Sequence, residues 1–394
     1  MEIGVKKKIQ SRYGPITISL NHTWSNSLFD IQISPYLQEL YVYGGQSDNY
    51  EKSCKWLSKC LQINIGSSPM DRLSQLYGSL MSFDKGSEEA TEQIQTFADS
   101  LLVDETVYAM VDGSMIPTRE GEQSNDWKEV KLGRIFGSSS IETVDKHHNK
   151  IKQSAYIAEL GNSTTFCQKM ASALCLAVGM GREIVFINDG SQWIWNWITD
   201  TYPNSIQILD YYHAIEKLSA CSKLLYTDPQ QAKDWLAQQQ EHLLCDDVGK
   251  LLEELEKLLG IVHQIEETAE DMLTTSTAVS AQSTQSTSTA VSAQISLNTT
   301  KKAEVRLIYN YIKKHEKRML YKTFRDNGYL VGSGPIESAH RVVLQKRLKQ
   351  SGQRWTKEGA QNIINLRVTF ENNQWNRIID LIKRNEKKTH KQTA

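Results

Sequence analysis

The chain reads as an α/β protein: a mixed sheet flanked by helices, interrupted by a large all-helical insertion and preceded by a small helical region. Three observations predict this. Short apolar or alternating runs at 106–111, 127–136, 155–160, 183–187 and 206–209 suit strands. Helical spacing falls at 165–178 and 191–199, so strands come first and then alternate with helices. From Tyr211 to about Thr268 the pattern is helical throughout, with an apolar stripe at Leu251, Leu252, Leu255, Leu258 and Leu259.

Taken in order, residues 1–45 form an irregular or strand-like segment, where Ile16, Ile18 and Leu20 alternate with polar residues and Ile31 and Ile33 repeat the pattern. Residues 46–100 are helical. Trp56, Leu57, Cys60 and Leu61 fall at helical spacing within 48–64, and Leu73, Leu76, Tyr77 and Leu80 within 68–83. The break Ile63-Asn-Ile-Gly-Ser-Ser-Pro places Ser68 at an N-cap and Pro69 at the first helical position. Two helices about a Gly-containing turn fit a DNA-reading helix-turn-helix, and equally any helical hairpin. A core then divides into a first part, 101–214, and a second part, 331–394, around the helical insertion at 215–330. Inside the insertion, 274–300 has no charge, aromatic residue or glycine, and Ser276-Thr-Ala-Val-Ser-Ala-Gln recurs at Ser288. That composition predicts a disordered loop. A basic helix resumes from Lys301 to about Thr323, and Glu337 onward reads as helical to Lys387.

A length of 394 residues implies two or three domains. No run approaches the roughly 20 apolar residues of a membrane span, and no apolar stretch follows the lysines of the N-terminus, so neither a membrane anchor nor a secretory signal is expected. The six cysteines form no Cys-x-x-Cys and read as reduced thiols of a cytoplasmic protein; Cys54 and Cys60 are poorly spaced for zinc. Net charge is -1, but residues 301–394 hold 22 Lys and Arg against 8 Asp and Glu, leaving 23 against 38 before them. A basic C-terminal quarter suits a DNA-facing surface, and also a solvated helix face.

Three acids stand out. Asp112 and Asp189 each end an apolar run and precede glycine; Glu337 follows Gly334-Pro-Ile in the first turn of a helix. Carboxylates at such positions are able to hold two divalent cations on a phosphate. Each alone is also an ordinary strand-end aspartate or helix-dipole glutamate. Asp210 and His213 form an Asp-x-x-His pair at a helix start, which serves either phosphate orientation or helix capping. A ribonuclease-H-like sheet carries its first acid on the first strand, its second on the fourth and its last on a packed helix, and the strand order read here is able to supply that geometry.

The blocks Asp112-Gly-Ser-Met-Ile-Pro, Trp127-Lys-Glu-Val-Lys-Leu-Gly, Asp189-Gly-Ser-Gln-Trp-Ile-Trp-Asn, Leu209-Asp-Tyr-Tyr-His, Gly332-Ser-Gly-Pro-Ile-Glu-Ser-Ala-His and Leu348-Lys-Gln-Ser-Gly-Gln-Arg-Trp occur in order. With them the chain resembles the DDE transposases of bacterial insertion sequences, in the Mutator-like superfamily with a helical insertion. The resemblance spans about Val103 to Arg367. It implies Asp112, Asp189 and Glu337 as catalytic ligands of two Mg²⁺ ions, with Mn²⁺ an alternative, and Asp210 and His213 as a DNA-positioning or structural element. It further implies cleavage at element ends, transfer of the freed 3′-hydroxyl to target DNA, double-stranded DNA as partner, a homodimer or higher oligomer, and a place on the bacterial nucleoid in the cytoplasm. Arg341, Lys346, Arg347, Lys349 and Arg354 are placed to track the DNA backbone, and Trp355 or a tryptophan of 193–197 either stacks on an unpaired base or, the favoured reading, packs in the core between helix and sheet. Relatives often carry zinc-type cysteine motifs further toward the N-terminus, and this chain shows none. The alternative is therefore a shortened or domesticated copy that binds DNA without cutting it. A non-transposing nuclease of the same fold and a carbohydrate hydrolase with paired carboxylates are further rivals, the latter disfavoured by the basic quarter.

Overall fold

The computed structural model describes residues 6–11, 14–19, 33–81, 88–119, 126–145, 148–179, 181–259 and 287–392. Strands β1 (Lys6–Ser11) and β2 (Gly14–Ser19) pair antiparallel. Helices α1 (Pro35–Ser47), α2 (Tyr50–Leu61), α3 (Ser67–Leu80) and α4 (Glu88–Asp99) follow. The core is β3 (Val107–Thr118), β4 (Asp126–Gly137), β7 (Ala155–Leu160), α5 (Ser163–Val178), β8 (Ile184–Asn188), α6 (Gln192–Thr201) and β9 (Ile206–Leu209), with a small antiparallel pair, β5 (Ile141–Asp145) and β6 (His148–Ile151), between β4 and β7. The sheet order is β7-β4-β3-β8-β9. Antiparallel pairing joins β3, β4 and β7, and β8 runs parallel to β9, so the sheet is mixed. Helices α7 (Tyr211–Leu225), α8 (Pro229–Leu244), α9 (248–259), α10 (Thr287–His315) and α11 (Tyr321–Asp326) form the all-helical insertion. The chain then continues through α12 (Gly334–Ala339), a π-helical turn (His340–Gln345), α13 (Lys346–Leu348), α14 (Lys357–Glu371) and α15 (Asn376–Gln392). This is a ribonuclease-H-like core with a helical insertion after its fifth strand.

The chain divides into two units, Met1–Ile184 with Gly334–Ala394, and Val185–Ser333. In the first, β4 is buried along its second half, and α5 packs on it closely: a Cβ at Gly133 would stand 2.6 Å from Met170 Sδ. The N-terminal helices pack on the C-terminal ones. Asn365 Nδ2 donates to Gly78 O at 3.0 Å, and a Cβ at Gly78 would strike the Asn362 backbone at 2.4 Å, so α3 and α14 meet at backbone distance. In the second unit, Val185, Phe186 and Ile187 are fully buried. The Phe186 ring meets Trp197 of α6 edge-on, and Leu251 and Leu255 carry the buried stripe of α9. Gln239 ties α8 to Glu254 of α9, and Tyr309 of α10 donates to Glu256 at 2.6 Å. Among the described residues no helix is long and apolar enough to cross a membrane.

Several expectations change. β3 does not end at Asp112 but runs six residues further, because Gly113 to Thr118 pair with Asp126 to Lys131 of β4. α1 occupies 35–47, part of the segment read as irregular; Gly44 and Gly45 hide its amphipathic pattern, yet a Cβ at Gly45 would lie 2.0 Å from Ser74 Oγ, so close packing requires glycine there. α3 begins at Ser67 with Gly66 as its N-cap, so Ser68 is already helical and makes no cap. The helix expected from Glu337 to Lys387 is broken over 349–356 and 372–375, and Trp355 lies in the first gap. The second copy of the Ser/Thr repeat falls within α10 rather than a loop; the first copy, and the helical reading of 260–268, lie outside the described residues.

Candidate functional site

In the first unit Asp112 sits mid-strand on β3, opposite Leu132. Its Oδ1 accepts the Gly113 N–H at 2.7 Å, and its side chain is 36% exposed. His340, the first residue of the π-helical turn, brings Nε2 to 3.1 Å from Asp112 Oδ2. The approach is off the hydrogen-bond direction, and both ring nitrogens are buried without a hydrogen bond. Two positions on, and on the same face of the strand, Ser114 Oγ accepts from Lys349 Nζ at 2.6 Å. Burial lowers the pKa of Lys349, with the Asp112 charge acting against it. Glu337 is exposed in the first turn of α12 and has no hydrogen-bond or ion-pair partner among the described residues. The start of that helix is pinned by Arg134 of β4. Its Nη1 donates to Pro335 O at 2.6 Å, its Nε to Ser154 Oγ at 2.9 Å, and its guanidinium lies over the Phe136 and Tyr156 rings.

In the second unit Asp189 follows the end of β8. Its carboxylate accepts the Ser191 N–H at 2.9 Å and the Ser191 hydroxyl at 3.0 Å, and its carbonyl accepts the Trp195 indole N–H. A Cβ at Gly190 would stand 2.2 Å from the Tyr311 ring, so this loop lies flat against α10. Burial, then the charges of Asp189 and Asp210, push the Tyr311 hydroxyl pKa up. Asp210 is fully buried at the N-cap of α7. It accepts from the Tyr212 N–H at 3.2 Å, the Ser333 N–H at 3.1 Å, the Ser333 hydroxyl at 2.8 Å and His213 Nδ1. Burial alone would raise its pKa; the bonds from His213 and Ser333 outweigh that and hold the carboxyl below its usual range. The same bond raises His213 to about 9, so the Asp-x-x-His pair is a carboxylate–imidazolium pair at neutral pH. Its ring is 40% exposed, so the charge faces solvent.

The basic residues divide. Arg341, Lys346, Lys349 and Arg354 are exposed. Arg347 is 1% exposed, donates to Gly45 O at 2.7 Å and stacks on Tyr50 and Trp355. Trp355 is buried and its indole donates to Leu348 O at 3.1 Å. Arg347 and Trp355 therefore belong to the interior of the unit: the backbone contact expected of Arg347 is corrected, and Trp355 takes the core-packing alternative rather than stacking on a base. Trp195 is buried as well. Sequence reasoning passes over His340, Ser333, Arg134 and Tyr311. His340 carries a signal, standing one helical turn after Glu337, and Ser333 stands between glycines beside it; Arg134 and Tyr311 carry none.

Among the described residues no three His, Cys, Asp or Glu side chains converge to hold a metal ion. The donor type at Asp112, Asp189 and Glu337, carboxylate oxygen, nonetheless fits a hard divalent cation such as Mg²⁺ or Mn²⁺, and Glu337 keeps both oxygens unengaged among the described residues.

No protein-family model matches the chain, and no curated protein matches it. Among solved structures, the Drosophila P element transposase strand transfer complex is similar at a TM-score of 0.34 and 7% identity, over 86% of this chain and 92% of that one. A likeness that loose bears on neither the fold nor the chemistry.

Proposed function

We propose that this chain is a DDE-type DNA transposase of the insertion-sequence kind, which cuts double-stranded DNA at element ends and joins the freed 3′ end to a target. The observation that carries the reading is the order of its acids along the fold. Asp112 is on the first core strand, Asp189 just past the fourth, and Glu337 on the first helix after the insertion, each within the sequence block that resembles this family. Asp112, Asp189 and Glu337 are assigned as the metal carboxylates. Two bound Mg²⁺ ions would supply Lewis-acid stabilisation of the attacking and leaving oxygens. The residues themselves have simpler tasks. Arg134 holds the helix of Glu337 in place, and Asp210 keeps His213 cationic and oriented, so that its exposed edge meets a phosphate oxygen. Exposed Arg341, Lys346, Lys349 and Arg354 add backbone contacts, and the enzyme acts as a dimer or larger assembly.

The test is Mg²⁺-dependent nicking and joining of DNA that bears the element's ends. Asp112→Ala, Asp189→Ala and Glu337→Ala are each expected to lose cleavage by on the order of 10²–10³-fold or more, with DNA binding and Tm retained. Full cleavage by any one of them removes that residue from the site. The want of a converged three-residue cluster among the described residues favours a second reading, a transposase-derived DNA-binding protein without catalysis. Binding without nicking by the wild-type chain in the same assay would establish that reading instead.

A further inference from the structure

Residues 185–300 are acidic, with 5 Lys and Arg against 16 Asp and Glu, whereas 301–333 hold 9 against 3. The positive charge of the second unit is thus gathered on one stretch, and part of it lines a cleft of about 490 Å³. One wall is the start of β9, with Gln207; the other is the end of α10 and the turn after it, with Lys313, Lys314, Lys317 and Arg318. Glu316 is the acid of the lining, and Lys313 stands 3.3 Å from it. Lys314 and Lys317 are exposed and have no ion-pair partner among the described residues.

Arg318 is set in a fixed pose. Its Nε donates to Gln207 Oε1 at 2.9 Å, its Nη2 to Thr199 Oγ1 at 3.2 Å, and its Nη1 meets His315 Nδ1 at 3.3 Å. Its Cζ lies over the Trp195 ring, 4.4 Å from the centre. A guanidinium has five N–H groups, so two remain for a ligand. Burial, with Arg318 and Lys314 nearby, lowers His315 to about 4, which leaves it neutral and able to accept from Arg318. Lysines at a helix C-terminus also offset the helix dipole. That accounts for Lys313 and Lys314 in the last turn of α10, but not for Lys317 and Arg318, which lie beyond it. The cleft is at the opening end of β9, whereas Asp210 follows its closing end, so the cleft is separate from the acid network of this unit.

We propose that this cleft is a binding site for backbone phosphates of duplex DNA, an anchoring point carried by the insertion. Arg318 and Gln207 supply oriented donors, and Lys314 and Lys317 supply mobile charge that releases counterions. The choice of DNA rests on the transposase reading; the anion chemistry does not.

The test is binding alone, with EDTA present so that no cleavage occurs. Fluorescence anisotropy with a labelled duplex compares the full wild-type chain with Lys314→Glu/Lys317→Glu, Lys314→Arg/Lys317→Arg and a charge-matched control on α7 and α8, Lys223→Glu/Lys233→Glu. The first pair is expected to raise Kd at least tenfold and to reduce the salt slope by about two, near 0.9 for each phosphate no longer neutralised. The arginine pair and the control are expected to bind as the wild type does. An unchanged Kd and salt slope in Lys314→Glu/Lys317→Glu overturns the proposal, as does an equal weakening in the control, or a wild-type chain that binds RNA but not DNA. Failure of the transposase reading looks different: binding through this cleft persists while nicking is absent.

Discussion

Asp210 and Asp112 are both aspartates of the sheet region, yet their surroundings are opposites. Asp210 has no exposure and takes bonds from two backbone amides, a hydroxyl and an imidazole. Asp112 is partly open, with one amide bond and a buried histidine that approaches without bonding. A buried carboxylate must be saturated, because each lone pair withdrawn from water without a donor costs free energy. A carboxylate that meets solvent is under no such demand and keeps its lone pairs for a ligand. The contrast separates an acid that holds the chain from an acid that stays open to solvent, a difference that composition and spacing do not carry.

The largest effect expected from this contrast is at Asp210. Asp210→Ala strips a buried ion pair of one partner and is expected to cost about 3–5 kcal/mol in urea unfolding. Asp112→Ala is expected to cost less than about 1 kcal/mol, since its carboxylate is partly hydrated already. Equal losses would end the distinction. The glycines after the acids repeat it on a smaller scale. Gly190→Ala forces a methyl group into the Tyr311 ring and is expected to cost about 1–3 kcal/mol, read as a lowered Tm. Gly113→Ala meets the carboxylate of Glu129, a side chain 38% exposed but paired with Lys131 at 2.6 Å, so the clash is relieved by a shift of a partly open side chain and a smaller cost, about 1 kcal/mol, is expected. A reversed order would show that the β3–β4 face is the more rigid of the two.

The same contrast is read in pH. His213 rises from an ordinary 6.5 to about 9. Its contribution to stability is complete below about 6.5 and is lost as pH climbs through about 9. Asp210 is held below its ordinary 3.8, so its contribution is complete above that value and is lost as pH falls through the lowered one. Stability should therefore fall on the alkaline side between about 6.5 and 9, and His213→Gln should flatten that limb while leaving others in place. An imidazole that titrates near 6.5 by NMR would show that the pair does not hold its proton.

Much of this arrangement is readable because it is local. The strands at 155–160 and 206–209, the turn after β8 and the capping Asp210 follow from short apolar runs that stop at polar residues. What escapes depends on partners far along the chain. Gly113-Ser-Met-Ile-Pro looks like a turn by itself and becomes strand only through β4. Ser333 reaches Asp210 across 123 positions, and Arg347 reaches Gly45 across 302. Arg347 and Trp355 resemble surface residues in sequence, but each provides what the other needs for burial, a flat cation against an aromatic face. Glycine at 44 and 45 obscures α1 for a similar reason, since its value lies in the neighbour it admits.

One pairing has a consequence beyond its own energy. The Tyr211 N–H bonds Val331 O at 3.0 Å, and Ser333 closes on Asp210 one step further. The helical excursion thus leaves and returns through a single clasp, like the neck of a purse. Whatever happens between those ends, Val331 and Ser333 stay beside the start of α7. Lengthening a loop already closed adds only slowly to its entropic cost, so a twelve-residue duplication such as the one at Ser276 and Ser288 lengthens the excursion at small cost to the clasp. The clasp makes the insertion a region where length is free to drift while its two ends stay paired.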